Sequence, residues 1–139
     1  PYLLNELGFL YSSSMRGDDI PYYTVLDGKE TDLVEIPSKW ELDDYVAQAY
    51  SVYPAEPAGL DRISCYRNVQ DNDLREFRGY YDMGLCIAFL MHPQISGAPG
   101  RNLVLEEVLK EVTSHKDVWV ATGSEVAEYW RKAHPRKED

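Results

Sequence analysis

His92 ends the apolar run Leu85-Cys86-Ile87-Ala88-Phe89-Leu90-Met91 and is followed by Pro93, so an imidazole sits on a constrained backbone at the edge of a buried segment. A side chain that titrates near neutrality suits a general acid or base. The other reading is a strand-end histidine bonded to a loop carbonyl, and position alone leaves both open. Asp43 and Asp44, just after Trp40-Glu41-Leu42, are the acids that could serve it. Two acids at a helix start make favourable caps and dipole partners. One of them could instead accept a hydrogen bond from the imidazole, fixing its tautomer and stabilising the imidazolium. Trp40 is either core or the wall of a ligand site. Ser12-Ser13-Ser14 follows the first apolar run, and Arg101, after Pro99-Gly100, could pair with an anionic group or clamp its own loop. Asp18-Asp19 reads as solvated acids. No H-x-x-x-H, phosphate-cradling glycine loop or G-x-S-x-G is present, and Cys65 and Cys86 form no C-x-x-C, so this chain is expected to supply no metal ligands.

The elements that must position these residues alternate between apolar runs and helical patterns. Helical spacing is read over 2–7, ending at Gly8, over 42–50, opened by Asp43 or Asp44, over 71–83, over 103–112 with Leu105, Val108, Leu109 and Val112 inward, and over 125–132, capped by Ser124. Short strands are expected at 9–11, 33–36, 85–91 and 118–121, the last two buried on both faces. Residues 51–61 and 96–100, rich in proline and glycine, read as loops, and 134–139 as a loose charged tail. The alternation predicts an α/β fold with parallel strands and outer helices. Ser13, Asp44, Met91 and His92 all fall near strand ends on the carboxyl side, where such folds place their sites.

Composition narrows the partners. The 139 residues carry 14 Lys+Arg against 24 Asp+Glu, a net charge of −10. That balance excludes nucleic acid as a main partner, which a basic surface must bind, and disfavours an anionic membrane. The longest apolar run falls far short of the ~20 residues a membrane span needs. With two separated cysteines, a cytoplasmic setting is expected. Eleven tyrosines suit ligand clefts or subunit contacts.

Gly8-Phe9-Leu10-Tyr11-Ser12-Ser13-Ser14-Met15, Val34-Glu35-Ile36-Pro37 with Trp40-Glu41-Leu42-Asp43-Asp44, Phe89-Leu90-Met91-His92-Pro93-Gln94-Ile95-Ser96-Gly97 with Pro99 and Arg101, and Val118-Trp119-Val120-Ala121-Thr122 with Trp130 resemble the later motifs of the polysaccharide deacetylases. This is the NodB-homology group, carbohydrate esterase family four, and the likeness is strongest to its peptidoglycan-deacetylase-like and allantoinase-like branch. The resemblance implies the C-terminal half of a distorted (β/α) barrel over residues 1–133, followed by the tail 134–139. It implies an amide hydrolase in which His92 is the general acid, Asp43 or Asp44 its orienting acid, and Trp40 and Leu90 the acyl-pocket walls. Met91, Arg101 and Ser13 are the further candidates for substrate contact.

The family's base and its zinc-like divalent metal rest on motifs that precede the ones seen here, although some allantoinase-like members work without metal. The resemblance therefore implies a partner: an N-terminal half, as a separate chain or a further segment, with a homo-oligomer also expected. A (β/α) barrel takes about 250 residues, so 139 residues and Pro1 in place of Met read as half a barrel with a cut or processed end. N-acetyl sugars, allantoin-like rings and cyclic imides all fit such a site. A binding or assembly module that has lost catalysis is the rival reading.

Overall fold

A computed structural model describes residues 1–48 and 64–136. The expected loop at 51–61 lies outside them. The chain divides into two compact units, residues 1–38, 84–88 and 119–139 in the first and 39–83 and 89–118 in the second.

The first unit is built on β3 (Lys29–Glu35), whose Leu33, Val34 and Glu35 are wholly buried. On one side β1 (Tyr11–Ser12) pairs with it in parallel, Tyr11 opposite Val34 and Ser12 opposite Glu35. On the other side β2 (Tyr22–Leu26) pairs antiparallel, giving the order β1-β3-β2. The sequence reading expects no strand at 22–26 and only parallel pairing. Asp27-Gly28 overturns both expectations: a two-residue connection can join only antiparallel neighbours, and its favoured form needs positive φ at both central residues. Asp27 has φ 50° and Gly28 φ 79°.

Helix α1 (Tyr2–Glu6) packs against β3, and Gly8 follows it at φ 73°, as a helix-ending glycine should. Helix α6 (Gly123–Ala133) packs on β1 and β3. Its cap is Thr122, not Ser124. Thr122 Oγ1 accepts from the Glu125 N–H, and the Glu125 carboxylate accepts from the Thr122 N–H at 2.7 Å. The residue that follows the cap must be small, because a Cβ on Gly123 would lie 2.4 Å from the Tyr11 ring. Replacing Thr122 with alanine is expected to cost about 1 kcal/mol, read as a lower urea midpoint at unchanged m-value.

The tail is tied rather than loose over its described part. Tyr23 donates to the His134 carbonyl at 2.9 Å, and Arg136 pairs with Asp32 at 2.9 Å and donates to the Glu30 carbonyl.

The second unit is helical. It runs from a 3₁₀ turn (Trp40–Leu42) through α2 (Asp44–Gln48), α3 (Tyr66–Met83) and α4 (Pro93–Ser96) to α5 (Pro99–Ser114). Helix α3 begins five residues before the expected start and buries Val69, Asp73 and Phe77, one stripe at i, i+4 and i+8. It packs on α5, which buries Val104 and Val108, while Leu109 is half exposed. His115 is a packing residue here, its ring 5.3 Å from that of Phe77. The expected loop at 96–100 is mostly helix, because Pro93 and Pro99 both open helices. At a first helical position proline lacks only an N–H that would be unpaired anyway.

Two expected strands are not ladders. In 85–91, among the described residues, only Leu90 forms a bridge, parallel to Asp43. At 118–121 no strand forms, and Val120 is 73% exposed. Apolar, β-branched composition predicts burial on a sheet, but a strand exists only where a neighbour takes its hydrogen bonds.

Candidate active site

The site of the second unit is assembled by a backbone clamp. Leu90 N–H donates to the Leu42 carbonyl at 2.9 Å, and Asp44 N–H donates to the Leu90 carbonyl at 3.1 Å. These two bonds set the start of α2 beside the segment that carries His92. Asp43 then caps α2, its Oδ1 accepting from the Tyr45 N–H at 2.9 Å. Asp44, one residue on, turns its carboxylate to His92.

Asp44 is the most heavily engaged acid in the unit. Its Oδ1 lies 2.6 Å from His92 Nδ1. Its Oδ2 accepts from the His92 N–H at 2.9 Å, from the Ser96 N–H at 3.2 Å and from the Ser96 hydroxyl. Burial alone would push this carboxyl up, but the bonds from Ser96 and from the backbone and ring of His92 outweigh it and hold the carboxyl below its ordinary value. An ionised Asp44 accepts a hydrogen bond from the Nδ1–H of the imidazole and leaves Nε2 for chemistry. The His92 side chain is 32% exposed against 1% for Asp44, so the acid is interior and the base is within reach of solvent. The Tyr45 ring stands 5.5 Å from the imidazole.

Asp43, Asp44 and His92 bring one potential ligand atom each to within 4.8 Å of the others, which tests them as a metal site. Their donor atoms are turned on one another: Nδ1 is given to Asp44, both Asp44 oxygens already accept hydrogen bonds, and Asp43 Oδ1 is spent on α2. A divalent ion would have to displace most of these bonds, so the trio does not fit a metal and fits an acid–base pair.

The remaining candidates fall in different places. Trp40 and Leu90 are 58% and 43% exposed, so Trp40 is not core. Met91 Sδ lies 3.4 Å from Ser96 Oγ. Arg101 sits in the first turn of α5 with its Nε buried and without an acceptor. Ser13 belongs to the first unit, exposed in the loop after β1. Its neighbours are pinned: Ser14 and Met15 donate their N–H groups to Glu35 Oε1 at 2.5 and 2.7 Å. A cavity of about 560 Å³ in the first unit, lined by Tyr22, Tyr23, Trp130 and Arg136 among others, contains none of His92, Asp43 and Asp44.

The sequence reading missed Ser96 and Asp73. Ser96 is one helical turn beyond His92, a signal visible only once Pro93 is read as a helix start. Asp73 is a carboxyl on the buried stripe of α3, 7% exposed and pushed up to about 6 by burial first, and by the charges of Asp44 and Glu76. Because the folded form holds its proton more tightly than an unfolded carboxyl, Asp73 costs nothing below pH ~4, and its penalty grows as pH rises through about 6. Asp73→Asn is expected to stabilise the protein by up to about 3 kcal/mol at pH 8 and not at pH 4, measured by urea denaturation at both values.

Fold and site together define an α/β protein in which a buried carboxylate is hydrogen-bonded to a half-buried histidine. No protein-family model matches the chain. It is 28% identical over 159 residues to a peptidoglycan deacetylase of Helicobacter pylori, a match that covers 97% of this chain and 53% of that protein. A solved structure from Mycobacterium smegmatis, assigned to the polysaccharide deacetylases, superposes with a TM-score of 0.81 at 36% identity, covering 100% of this chain and 48% of that one. The crystal structure of Puue allantoinase shares the fold at 22% identity, with a TM-score of 0.75 over 98% of this chain and 43% of that one. The chain thus resembles the polysaccharide deacetylases over nearly all of its own length. It spans about half the length of these relatives. Among the described residues, no helix is long and apolar enough to cross a membrane.

Proposed function

We propose that the chain supplies the general-acid side of a deacetylase-type hydrolase of carbon–nitrogen bonds. The observation that carries this reading is the 2.6 Å contact between His92 Nδ1 and the buried Asp44 carboxylate, with the His92 side chain 32% exposed. In the reaction, water adds to the acyl carbon and the C–N bond then breaks. His92, protonated and held by Asp44, gives its Nε2 proton to the nitrogen, so the amine departs neutral and the acyl group leaves as a carboxylate. Trp40 and Leu90, both exposed, would wall the acyl group. Arg101 and Met91 are the further candidate contacts of this unit.

The water-activating base, and the ligands of a divalent metal if the enzyme uses one, would come from a further stretch of polypeptide. The chain's half-length match to its relatives supports this, as do the apolar side chains of Leu7, Met83 and Val120, each more than 70% exposed. Self-association would cover such side chains as well, and a cytoplasmic setting fits the two separated cysteines. A ring-opening amidohydrolase is the second reading, favoured by the structural likeness to Puue allantoinase.

The test is to assay this chain alone and joined to the polypeptide that completes it, on N-acetylated glycan oligomers, allantoin and a cyclic imide. Acetate release by the completed protein supports the first reading and ring opening the second. A completed protein that hydrolyses none of the three refutes both.

A further inference from the structure

Ser96 reaches the acid that holds His92. Both residues stand on one tight turn: His92 caps α4, Pro93 opens it, and Ser96 is its last residue. The Ile95 and Ser96 N–H groups both donate to the His92 carbonyl, at 2.8 and 2.9 Å, and the Gly97 N–H donates to the Pro93 carbonyl at 3.0 Å. The turn is drawn so close that a Cβ on Gly97 would lie 2.2 Å from the Pro93 carbonyl oxygen. Asp44 meets it from a segment 48 residues before His92, and its two oxygens have different partners. Oδ1 lies 2.6 Å from His92 Nδ1, while Oδ2 accepts from the His92 N–H at 2.9 Å, the Ser96 N–H at 3.2 Å and the Ser96 hydroxyl.

The hydroxyl has one proton and two acceptors within reach, Asp44 Oδ2 and Met91 Sδ, the latter at 3.4 Å. A thioether is a weak acceptor and an ionised carboxylate a strong one, so the proton goes to Asp44. The torsion that turns an aspartate carboxylate has a broad well, so bonds rather than rotamer preference must hold such a group still. Two of the three donors on Oδ2 are main-chain groups. The Ser96 hydroxyl alone of the three depends on which side chain stands there. Ser96 is 4% exposed and the Asp44 side chain 1%, against 32% for the His92 side chain. A serine so placed lies beneath the imidazole's open side, and what it does to the chemistry passes through Asp44.

We propose that Ser96 is a positioning residue for the general acid: its hydroxyl fixes the Asp44 carboxylate so that Oδ1 stays on His92 Nδ1. That contact holds the ring in one orientation and, when the ring is neutral, in one tautomer. The inference deepens the reading of His92 and Asp44 as the acid side of a hydrolase, and it rests on that reading. Without the hydroxyl the two main-chain bonds remain, so the fold persists while the carboxylate gains freedom and the imidazole loses its fixed partner.

The experiment compares the wild type with Ser96→Ala and Ser96→Cys, the second close to serine in size but a weak donor. Proton NMR of this chain reads the His92 Nδ1–H, which a short bond to a buried carboxylate moves far downfield and shields from exchange. Kinetics of the completed protein read kcat and KM. In both variants the Nδ1–H resonance is expected to move upfield and exchange faster, and kcat to fall about tenfold at unchanged KM, the worth of one hydrogen bond to a charged group. Variants that melt earlier yet keep the wild-type resonance and kcat have lost packing alone, and they overturn the proposal. So does a changed resonance with kcat within about twofold of the wild type, where His92→Gln is itself impaired. If Ser96→Ala does not fold, Ser96→Cys decides by the same two readouts. A wild type without a downfield Nδ1–H, or a His92→Gln protein as active as the wild type, refutes the acid–base reading itself and the role of Ser96 with it.

Discussion

Replacing His92 with glutamine is expected to lower amide hydrolysis by the completed protein about 10²–10⁴-fold, the usual worth of a positioned proton donor, if His92 is the proposed acid. Glutamine can still donate to the Asp44 carboxylate, so the buried acid keeps a partner, but it has no proton to release. The His92 backbone N–H, which Asp44 also accepts, is untouched by the change. The fold should therefore survive, with the loss falling on kcat far more than on KM. Steady-state kinetics beside a urea melt give the answer. A variant that melts as the wild type does and turns over within threefold of it would refute His92 as the acid. Leaving groups that need no proton should recover much of the lost rate, because the step that His92 assists is then no longer limiting.

Asp44→Ala is expected to strike stability as hard as activity. Three donors, the His92 N–H and the Ser96 N–H and hydroxyl, converge on its Oδ2, and the imidazole leans on Oδ1. Removing the acid strands all four in a site where water cannot replace it without rearrangement, a class of change that costs about 3–5 kcal/mol. The pH dependence has a definite sign. Because the folded-state carboxyl is held below its ordinary value, its contribution is fully present above the unfolded value near 3.8 and is lost as pH falls through the folded one. The gap between wild type and Asp44→Ala should be widest at neutral pH and narrow in acid. Urea denaturation at pH 7 and pH 3 measures it, and equal gaps at the two values would refute this account of Asp44.

The pairing of His92 with Asp43 or Asp44 was legible in the sequence because chemistry and position coincide there. His92 ends an apolar run and is fixed by proline, and paired acids open a helix. Which acid serves the imidazole was not legible. Asp43 and Asp44 differ by one residue, and only the bridge to Leu90 decides that Asp43 caps the helix while Asp44 faces the ring. Ser96 was hidden because Pro93 and Pro99 read as breakers when they are helix starts. The hairpin at 22–35 was readable in Asp27-Gly28 between β-rich flanks, a signal as local as any in the chain. The runs at 85–91 and 118–121 mark the limit of such reading: apolarity predicts that a segment is covered, whereas pairing depends on what lies next to it.

Asp44 also has a consequence for anyone who would alter this protein. It is at once the anchor of the imidazole and the acceptor for the N–H groups at the mouth of the short helix α4. If His92 is the proposed acid, selection for foldability and selection for turnover act on the same two oxygen atoms and cannot be relaxed one at a time. A library seeking a new substrate should hold Asp44, His92 and Ser96 fixed and vary Trp40 and Leu90. Leu90 grips the clamp by its main chain alone, and the side chains of both are exposed. Variation there can reshape what the site accepts without spending the structure that holds it.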